Sequence, residues 1–194
     1  MVATPTRLKN SEYRSREYLT LDEVNALLNA VESSPSFRNP ARDRALILLS
    51  FRHGLRVSEA ANLKWDAVDL KNATIHINRV KTGNPGVHPL QPDEAEALSA
   101  VRKAFPDSNY IFQSERGSRI SEDAIASVVE KAGKVAVFSF KVHPHQLRHA
   151  CGYYLANKGY DTRMIQAWLG HRSIQSTVIY TQLAPGRFGT IEWD

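Results

Sequence analysis

Apolar residues recur at the 3.6-residue spacing of amphipathic helices along most of the 194-residue chain. The first such segment follows a capping box made by Thr20 and Glu23, and its apolar positions continue to Val31. The same spacing marks seven further segments, many of them bounded by Pro, Gly, Ser or Asp. These predicted helices cover 41–53, 58–63, 92–103, 121–132, 144–159, 161–169 and 173–180. The chain is therefore predicted to be mainly helical.

A period of two residues replaces the helical period between Ala73 and Val80, where ATIHINRV alternates apolar and polar side chains. KTGNPG then supplies turn residues and VHPL returns, which predicts a β-hairpin with Lys81 at its bend. NYIFQS, residues 109–114, is expected to add a third short strand. The predicted fold class is mainly α with a small antiparallel β-hairpin or three-stranded sheet.

The two ends of the chain differ from the segments between them. Residues 1–18 are polar and basic and are expected to form an arm. A chain of this length accommodates one well-buried domain, which we expect at 19–183. Residues 184–194 form a tail with three large apolar side chains, those of Phe188, Ile191 and Trp193.

Composition narrows the classes of function. The hydrophobic fraction of 42% and the charged fraction of 23% are ordinary for a folded globular protein. The net charge of +5 fits either a basic face that attracts nucleic acid or an ordinary solvated surface. Cys151 is the single cysteine, which excludes an intramolecular disulfide and fits a reducing cytoplasm. The longest apolar run, Ala45–Phe51, is far shorter than the ~20 residues of a membrane span, and no signal peptide precedes it.

The segment HPHQLRHACGYYL, residues 143–155, concentrates histidines and an arginine at the start of a predicted helix. His145 and Arg148 are three residues apart and can converge on one small group, and Gly152 lets something bulky approach the helix. A planar guanidinium beside an imidazole suits a phosphate. The opposite, apolar face of this helix comprises Leu147, Ala150, Cys151, Tyr154 and Leu155.

The histidines of this segment are also compatible with a metal site or, for one of them, a structural role in the core. A metal site would draw on His143, His145, His149 and His171. Arg148 would repel the cation and no Asp or Glu accompanies the histidines, so a metal is disfavoured. For His149 alone, we favour a core histidine bonded to the backbone.

Three segments together resemble the tyrosine recombinases. HPHQLRHACGYYLANKGYDTRMIQAWLGHRSIQSTVIYT resembles their block of His-x-x-Arg, Leu-Gly-His and tyrosine. HGLRVSEAANLKW resembles their first arginine motif, and NRVKTGNPGVHPL resembles the hairpin that carries their lysine. HPHQLRHACGYYLANKG and the tail GRFGTIEWD are especially similar to the short fimbrial phase-variation recombinases, which invert a promoter segment. The resemblance implies a tyrosine recombinase catalytic-domain fold and site-specific DNA recombination by inversion, excision or integration.

The resemblance also implies the roles of individual residues. Tyr180 would attack the scissile phosphate to give a 3′-phosphotyrosine and a free 5′-hydroxyl, without metal or other cofactor. The other catalytic residues would be Arg56 and Arg148 on the non-bridging oxygens, His171 as a further donor, His145 as general base and Lys81 as general acid. Two supporting residues are implied, Glu59 to orient Arg56, and His149.

The implied partners are double-stranded DNA and further copies of the chain, in a dimer or tetramer on DNA held together through the tail. The expected location is cytoplasmic and nucleoid-associated. Most tyrosine recombinases carry a core-binding domain before the catalytic domain, and here we expect none. Two alternatives stay open: a DNA-binding regulator that uses residues 161–181 as a helix-turn-helix, and a type IB topoisomerase-like enzyme with the same chemistry but no pairing of two sites.

Overall fold

The computed structural model describes residues 17–79 and 84–182. Within them, in chain order, the elements are α1 (Leu21–Ser33), α2 (Pro40–Arg52), α3 (Val57–Ala61), a 3-10 turn (Trp65–Ala67), β1 (Val68–Asp69), β2 (Thr74–Ile77), β3 (Gly86–Pro89), α4 (Pro92–Ala104), α5 (Glu122–Val135), α6 (Pro144–Asn157), α7 (Thr162–Leu169) and α8 (Gln175–Gln182). The predicted fold class, mainly α with a small antiparallel sheet, is confirmed. Lys81, most of the predicted arm and the tail lie outside the described residues.

Helix starts follow the local capping signals. Thr20 accepts a hydrogen bond from the backbone N–H of Glu23, whose carboxylate accepts from the backbone N–H of Thr20 at 2.8 Å, which closes the predicted capping box. Asp161 caps α7 by accepting from two backbone N–H groups, and Gly170 ends that helix with a left-handed backbone, φ 64°. Both ends of α7 were predicted.

The core is built around α2, whose apolar run Ala45–Phe51 is almost completely buried. This helix packs against α1, α4 and α6, so it is surrounded by other helices. An unbroken apolar run is expected of such a central helix, because it has no face toward water. None of the helices in the described part of the chain is long and apolar enough to cross a membrane.

The sheet is antiparallel with strand order β1-β2-β3. On β2, Ile75 and Ile77 are buried and His76 is exposed, as the two-residue period predicts. The expectation that residues 109–114 add the third strand is wrong, since the third strand is β1. Residues 109–114 make only isolated bridges, and the two adjacent apolar residues Ile111 and Phe112 are both buried, which anchors the segment in the core without strand alternation.

Helix α6 is covered on both sides. Its predicted apolar face is buried at Leu147, Ala150 and Cys151. The opposite face, at Arg148 and Gly152, is buried as well, because α7 and α8 pack against α6. Arg148 and Gly152 on this face therefore lie in the interior, whereas His145 at its start is exposed.

Candidate active site

Arg56 and Glu59 form the first part of the site at the sharp turn between α2 and α3. Gly54 makes this turn with φ 57°, and a side chain there would collide with Leu169. Arg56 precedes α3 and bonds Glu59 twice, from its backbone N–H to Oε2 at 3.0 Å and from Nη1 to Oε1 at 2.6 Å. Burial alone would raise the pKa of Glu59, but the bonds from Arg56 and the charge of Arg79 outweigh burial and lower it.

Arg148 on α6 lies next to this pair and is almost fully buried. Its Nη1 donates to the carbonyl oxygen of Gly54, and its Nη2 donates to that of Leu169 at 2.8 Å. Nη1 also lies 3.9 Å from Oε2 of Glu59. Burial, followed by the charges of Arg56 and Arg79, lowers the pKa of Arg148 to about 10, so its guanidinium stays charged at neutral pH.

Arg79 is a buried residue of the site that was not predicted. Its Nη1 donates to Oε2 of Glu59 at 2.8 Å. The two-residue period could have identified it. Residues 75, 77 and 79 lie on the same face of β2 and its extension, and the isoleucines at the first two positions point inward, so Arg79 should point inward as well. We call Arg56, Glu59, Arg79 and Arg148 the arginine cluster.

Tyr180 on α8 is buried against α6. Its ring lies over Gly152, where an added Cβ would be 2.7 Å from two ring carbons, so the bulky group that Gly152 admits is the ring of Tyr180. The ring also meets Tyr153 edge-on, with 5.1 Å between centroids. Burial raises the pKa of Tyr180 to about 12, against the opposing charge of Arg148.

Two histidines contact the tyrosine, and a third contacts one of these two. The Nδ1 of His149 lies 3.0 Å from the Tyr180 hydroxyl, so His149 bonds this side chain and not the backbone partner we expected. His145 meets His149 edge-on, with 4.3 Å between centroids. His171 stacks nearly parallel to Tyr180 at 6.3 Å and bonds Thr177 through Nδ1 at 2.9 Å.

These histidines are neutral at physiological pH. Burial, followed by the charges of neighbouring histidines and arginines, lowers the pKa of His149 to about 4. The pKa of His171 is also lowered to about 4, by burial and then by the nearby arginines. Burial and Arg148 lower the pKa of His145 too. A neutral imidazole can accept a proton, as a general base must.

The site therefore combines three guanidinium groups with one carboxylate, beside a tyrosine and neutral histidines. This excess of positive charge suits an anionic group that gains charge as it reacts, such as a phosphodiester. Contacts link the predicted site residues into two groups, Arg56, Glu59 and Arg148 in one, and His145, His149, His171 and Tyr180 in the other. The two groups are neighbours, because the charge of Arg148 acts on both Tyr180 and His171. In the described ranges no three His, Cys, Asp or Glu side chains are grouped as metal ligands.

Comparison with known proteins defines the class. Residues 17–187 match the Phage integrase family, and the chain belongs to this family of tyrosine-type site-specific recombinases. It is 40% identical over 193 residues to the type 1 fimbriae regulatory protein FimB of Escherichia coli K12, covering 96% of this chain and 94% of that protein. It is 44% identical over 185 residues to the type 1 fimbriae regulatory protein FimE of the same strain, covering 92% and 91%.

A solved structure supports the same conclusion. The XerH site-specific recombinase, in a post-cleavage complex with a palindromic difH substrate, superimposes with a TM-score of 0.77 at 25% identity. The match covers 93% of this chain and 54% of that one. The predicted family, its fold and its site-specific recombinase activity are thus confirmed. The alternative of a DNA-binding regulator that catalyses no reaction is not supported.

Proposed function

We propose that this recombinase cuts and rejoins duplex DNA through a covalent bond between Tyr180 and the 3′-phosphate at the break. The Tyr180 oxygen attacks phosphorus while its proton passes to a histidine. The bond from phosphorus to the 5′-oxygen then breaks, and that oxygen takes a proton from Lys81. A 5′-hydroxyl of another strand reverses these steps, so the number of phosphodiester bonds is conserved and no ATP is consumed.

The arginines would stabilise the transition state. We assign Arg56 and Arg148 to the two non-bridging oxygens, where negative charge accumulates, and His171 to a further hydrogen bond. Arg56 keeps 30% of its side chain exposed and Arg148 only 2%, so Arg56 would meet the DNA first. Glu59 would orient Arg56 through their two hydrogen bonds.

The proton acceptor is the one role for which the contacts favour a different residue. Resemblance assigns it to His145, whereas His149 is the histidine hydrogen-bonded to the Tyr180 hydroxyl. The rates of covalent cleavage by His145→Gln and His149→Gln compare the two. The general base should show the larger loss, of about 10²-fold or more.

The observation that carries the proposed function is the Tyr180 hydroxyl, hydrogen-bonded to a neutral histidine within a site rich in arginine. The test incubates the protein with nicked duplexes that carry inverted repeats from the DNA flanking its own gene. Denaturing electrophoresis then separates covalent protein–DNA adducts. The wild type should form an adduct, and Tyr180→Phe should bind the same DNA and form none. An adduct with Tyr180→Phe would exclude Tyr180 as nucleophile.

We further propose that the recombinase domain, residues 19–183, follows a basic arm and assembles as a dimer or tetramer on chromosomal DNA in the cytoplasm. The tail, 184–194, would hold neighbouring copies together. In support, its apolar side chains are unfavourable in water, and exchange between two sites needs more than one bound copy. Deleting the tail should preserve cleavage of a nicked site and prevent joining of two sites. Normal recombination by the truncated protein would contradict this role.

A further inference from the structure

The side chain of Arg79 is 1% exposed, and both terminal nitrogens of its guanidinium are engaged within the protein. Nη1 donates to Oε2 of Glu59 at 2.8 Å and to the carbonyl oxygen of Gly54 at 3.3 Å. Nη2 donates to the carbonyl oxygens of His53 at 2.8 Å and Trp168 at 2.5 Å. Arg79 is thus held by protein acceptors and is not placed to bind DNA itself.

The chain leaves room for Arg79 at Gly170. An added Cβ on Gly170 would lie 2.5 Å from Cγ and 3.0 Å from Cδ of Arg79. The aliphatic part of Arg79 therefore passes over the end of α7, directly before His171. Arg79 thereby contacts the ends of the segments that carry Arg56 and His171.

Two guanidinium groups lie close to Oε2 of Glu59, which also accepts a hydrogen bond from the backbone N–H of Arg56 at 3.0 Å. Oε1 of Glu59 pairs with Arg56 at 2.6 Å, and Oε2 pairs with Arg79 at 2.8 Å. Nη1 of Arg148 lies 3.9 Å from that same Oε2. A shift of about 1 Å would bring Arg148 within hydrogen-bond distance of Glu59. Arg79 already holds the oxygen that Arg148 would approach.

We propose that Arg79 is a positioning residue for recombination: by holding Oε2 of Glu59, it prevents Arg148 from pairing with that carboxylate and leaves Arg148 to the scissile phosphate. A guanidinium paired with a carboxylate is partly neutralised and stabilises a second anion less. The inference rests on the proposed function, because it assigns Arg148 to that phosphate.

A buried ion pair can also serve the fold alone, and removing one partner then lowers stability without changing chemistry. The chain offers a matched control in Arg42. This buried arginine pairs with Asp43 at 2.7 Å and donates to the carbonyl oxygen of Gln113 at 2.9 Å, outside the arginine cluster. Arg42→Met removes a similar charge and similar bonds from another part of the protein.

The first experiment compares covalent cleavage of a nicked duplex at saturating DNA, with rates corrected for the folded fraction. Arg79→Met should cleave about 10²-fold more slowly than the wild type with little change in Kd for DNA, the scale of losing one preorganised donor. Arg79→Lys should recover part of the rate, since an ammonium can still hold Oε2 of Glu59. Arg42→Met should lose stability but cleave at the wild-type rate. Equal rates for Arg79→Met and Arg42→Met would overturn the proposal.

The second experiment compares Glu59→Gln with the double variant Glu59→Gln/Arg79→Met, and this comparison does not need the single variant Arg79→Met to fold. Where that variant does fold, the four rates form a double-mutant cycle. Without the carboxylate charge, Arg148 has no competing anion, so the double variant should cleave at the rate of Glu59→Gln alone. A double variant much slower than Glu59→Gln would show that Arg79 acts by another route. If the wild type forms an adduct but the variants do not show these rates, the proposed role of Arg79 is contradicted and the proposed function is not. If the wild type forms no adduct on any of the nicked duplexes, the proposed function fails with it.

Discussion

In the described part of the chain, two buried clusters of ionisable side chains both draw on the turn after α2 but differ in their charged groups. In the arginine cluster, three guanidinium groups surround one carboxylate. In the second, which we call the histidine cluster, His53 lies 3.0 Å from Glu94 and its Nδ1 lies 3.1 Å from that of His88. His88 stacks on Trp168 with 3.9 Å between centroids, and these four residues define the histidine cluster.

The difference in charge separates a candidate binding site, the arginine cluster, from a cluster that stabilises the fold, the histidine cluster. In the histidine cluster, Oε2 of Glu94 accepts a hydrogen bond from the backbone N–H of Gln91 at 2.8 Å and lies 3.6 Å from the guanidinium of Arg52. Arg52 also makes two bonds to Asp93, of 2.9 and 2.6 Å. The carboxylate of this cluster thus has a cationic partner within the protein. The arginine cluster holds more positive charge than its single carboxylate offsets, and burying unbalanced charge is unfavourable. A bound phosphate would complete its balance.

The largest expected effect tests this contrast directly. Arg148→Ala should lower the rate of covalent cleavage by about 10²- to 10³-fold, because one donor to the non-bridging oxygens is lost. Arg52→Ala, at the edge of the histidine cluster, should lower the free energy of unfolding and leave the rate per folded molecule unchanged. Electrophoresis of adducts over time, with folded fractions from circular dichroism, measures both. Similar rate losses in the two variants would remove the distinction between the clusters.

A modified substrate separates the arginine cluster from Lys81. Lys81→Ala should cleave normal DNA about 10²-fold more slowly, because the departing 5′-oxygen no longer receives a proton. Replacing that oxygen by sulfur gives a thiolate leaving group, whose pKa of roughly 8.5 is far below that of the alcohol, so it departs unprotonated. Sulfur should therefore rescue Lys81→Ala and not Arg148→Ala. Rescue of both, or of neither, would contradict a general-acid role for Lys81.

A smaller effect is expected where Tyr180 packs on α6. Gly152→Ala would place a methyl group 2.7 Å from ring carbons of Tyr180, and such overpacking costs about 1–3 kcal/mol. If the ring is displaced from His149, cleavage should slow by roughly 10-fold, which corresponds to ~1.4 kcal/mol. Gly133→Ala in α5 is the control, because its methyl group would press on Val142, away from the tyrosine. An unchanged rate in Gly152→Ala would show that this position of the ring is not needed for attack.

The smallest effect concerns the histidine cluster and pH. Burial, followed by repulsion from His53 and Arg79, lowers the pKa of His88 from 6.5 to about 3. The unfolded chain therefore binds a proton below pH 6.5 that the folded chain does not. The free energy of unfolding should fall with decreasing pH, by at most ~1.4 kcal/mol per pH unit from this group.

Urea unfolding of wild type and His88→Gln between pH 6.5 and 4 measures this contribution. The variant should be less stable at pH 6.5 and should approach the wild type as the pH falls. His76→Gln, on the exposed face of the same strand pair, should run parallel to the wild type. Parallel curves for His88→Gln would contradict the assigned pKa.

The sequence predicts those features of the fold that depend on neighbouring residues. The capping box at Thr20, the Asp161 cap and the left-handed Gly170 involve side chains and backbone groups a few positions apart, and all three occur. The third strand was misplaced because the buried pair Ile111 and Phe112 has strand-like composition, whereas its pairing depends on distant backbone.

The site was partly predictable for the same reason. Resemblance to the family's motifs identifies Tyr180 and Arg148, but not the partner of His149, which lies 31 residues away on another helix. Arg79 was missed because its acceptors lie 20 to 89 residues away along the chain. The two-residue period of β2 and its extension predicts that Arg79 points inward, but only tertiary packing brings it to these partners.

Main-chain oxygen atoms orient much of the arginine cluster. The carbonyl of Gly54 accepts from both Arg79 and Arg148, and those of His53, Trp168 and Leu169 complete the set. A point mutation replaces a side chain but leaves the peptide carbonyl in place. Substitutions at His53, Trp168 and Leu169 should therefore leave the orientation of these guanidinium groups unchanged, as long as the backbone keeps its path. Directed evolution can therefore vary these positions without changing the main-chain acceptors that orient the guanidinium groups.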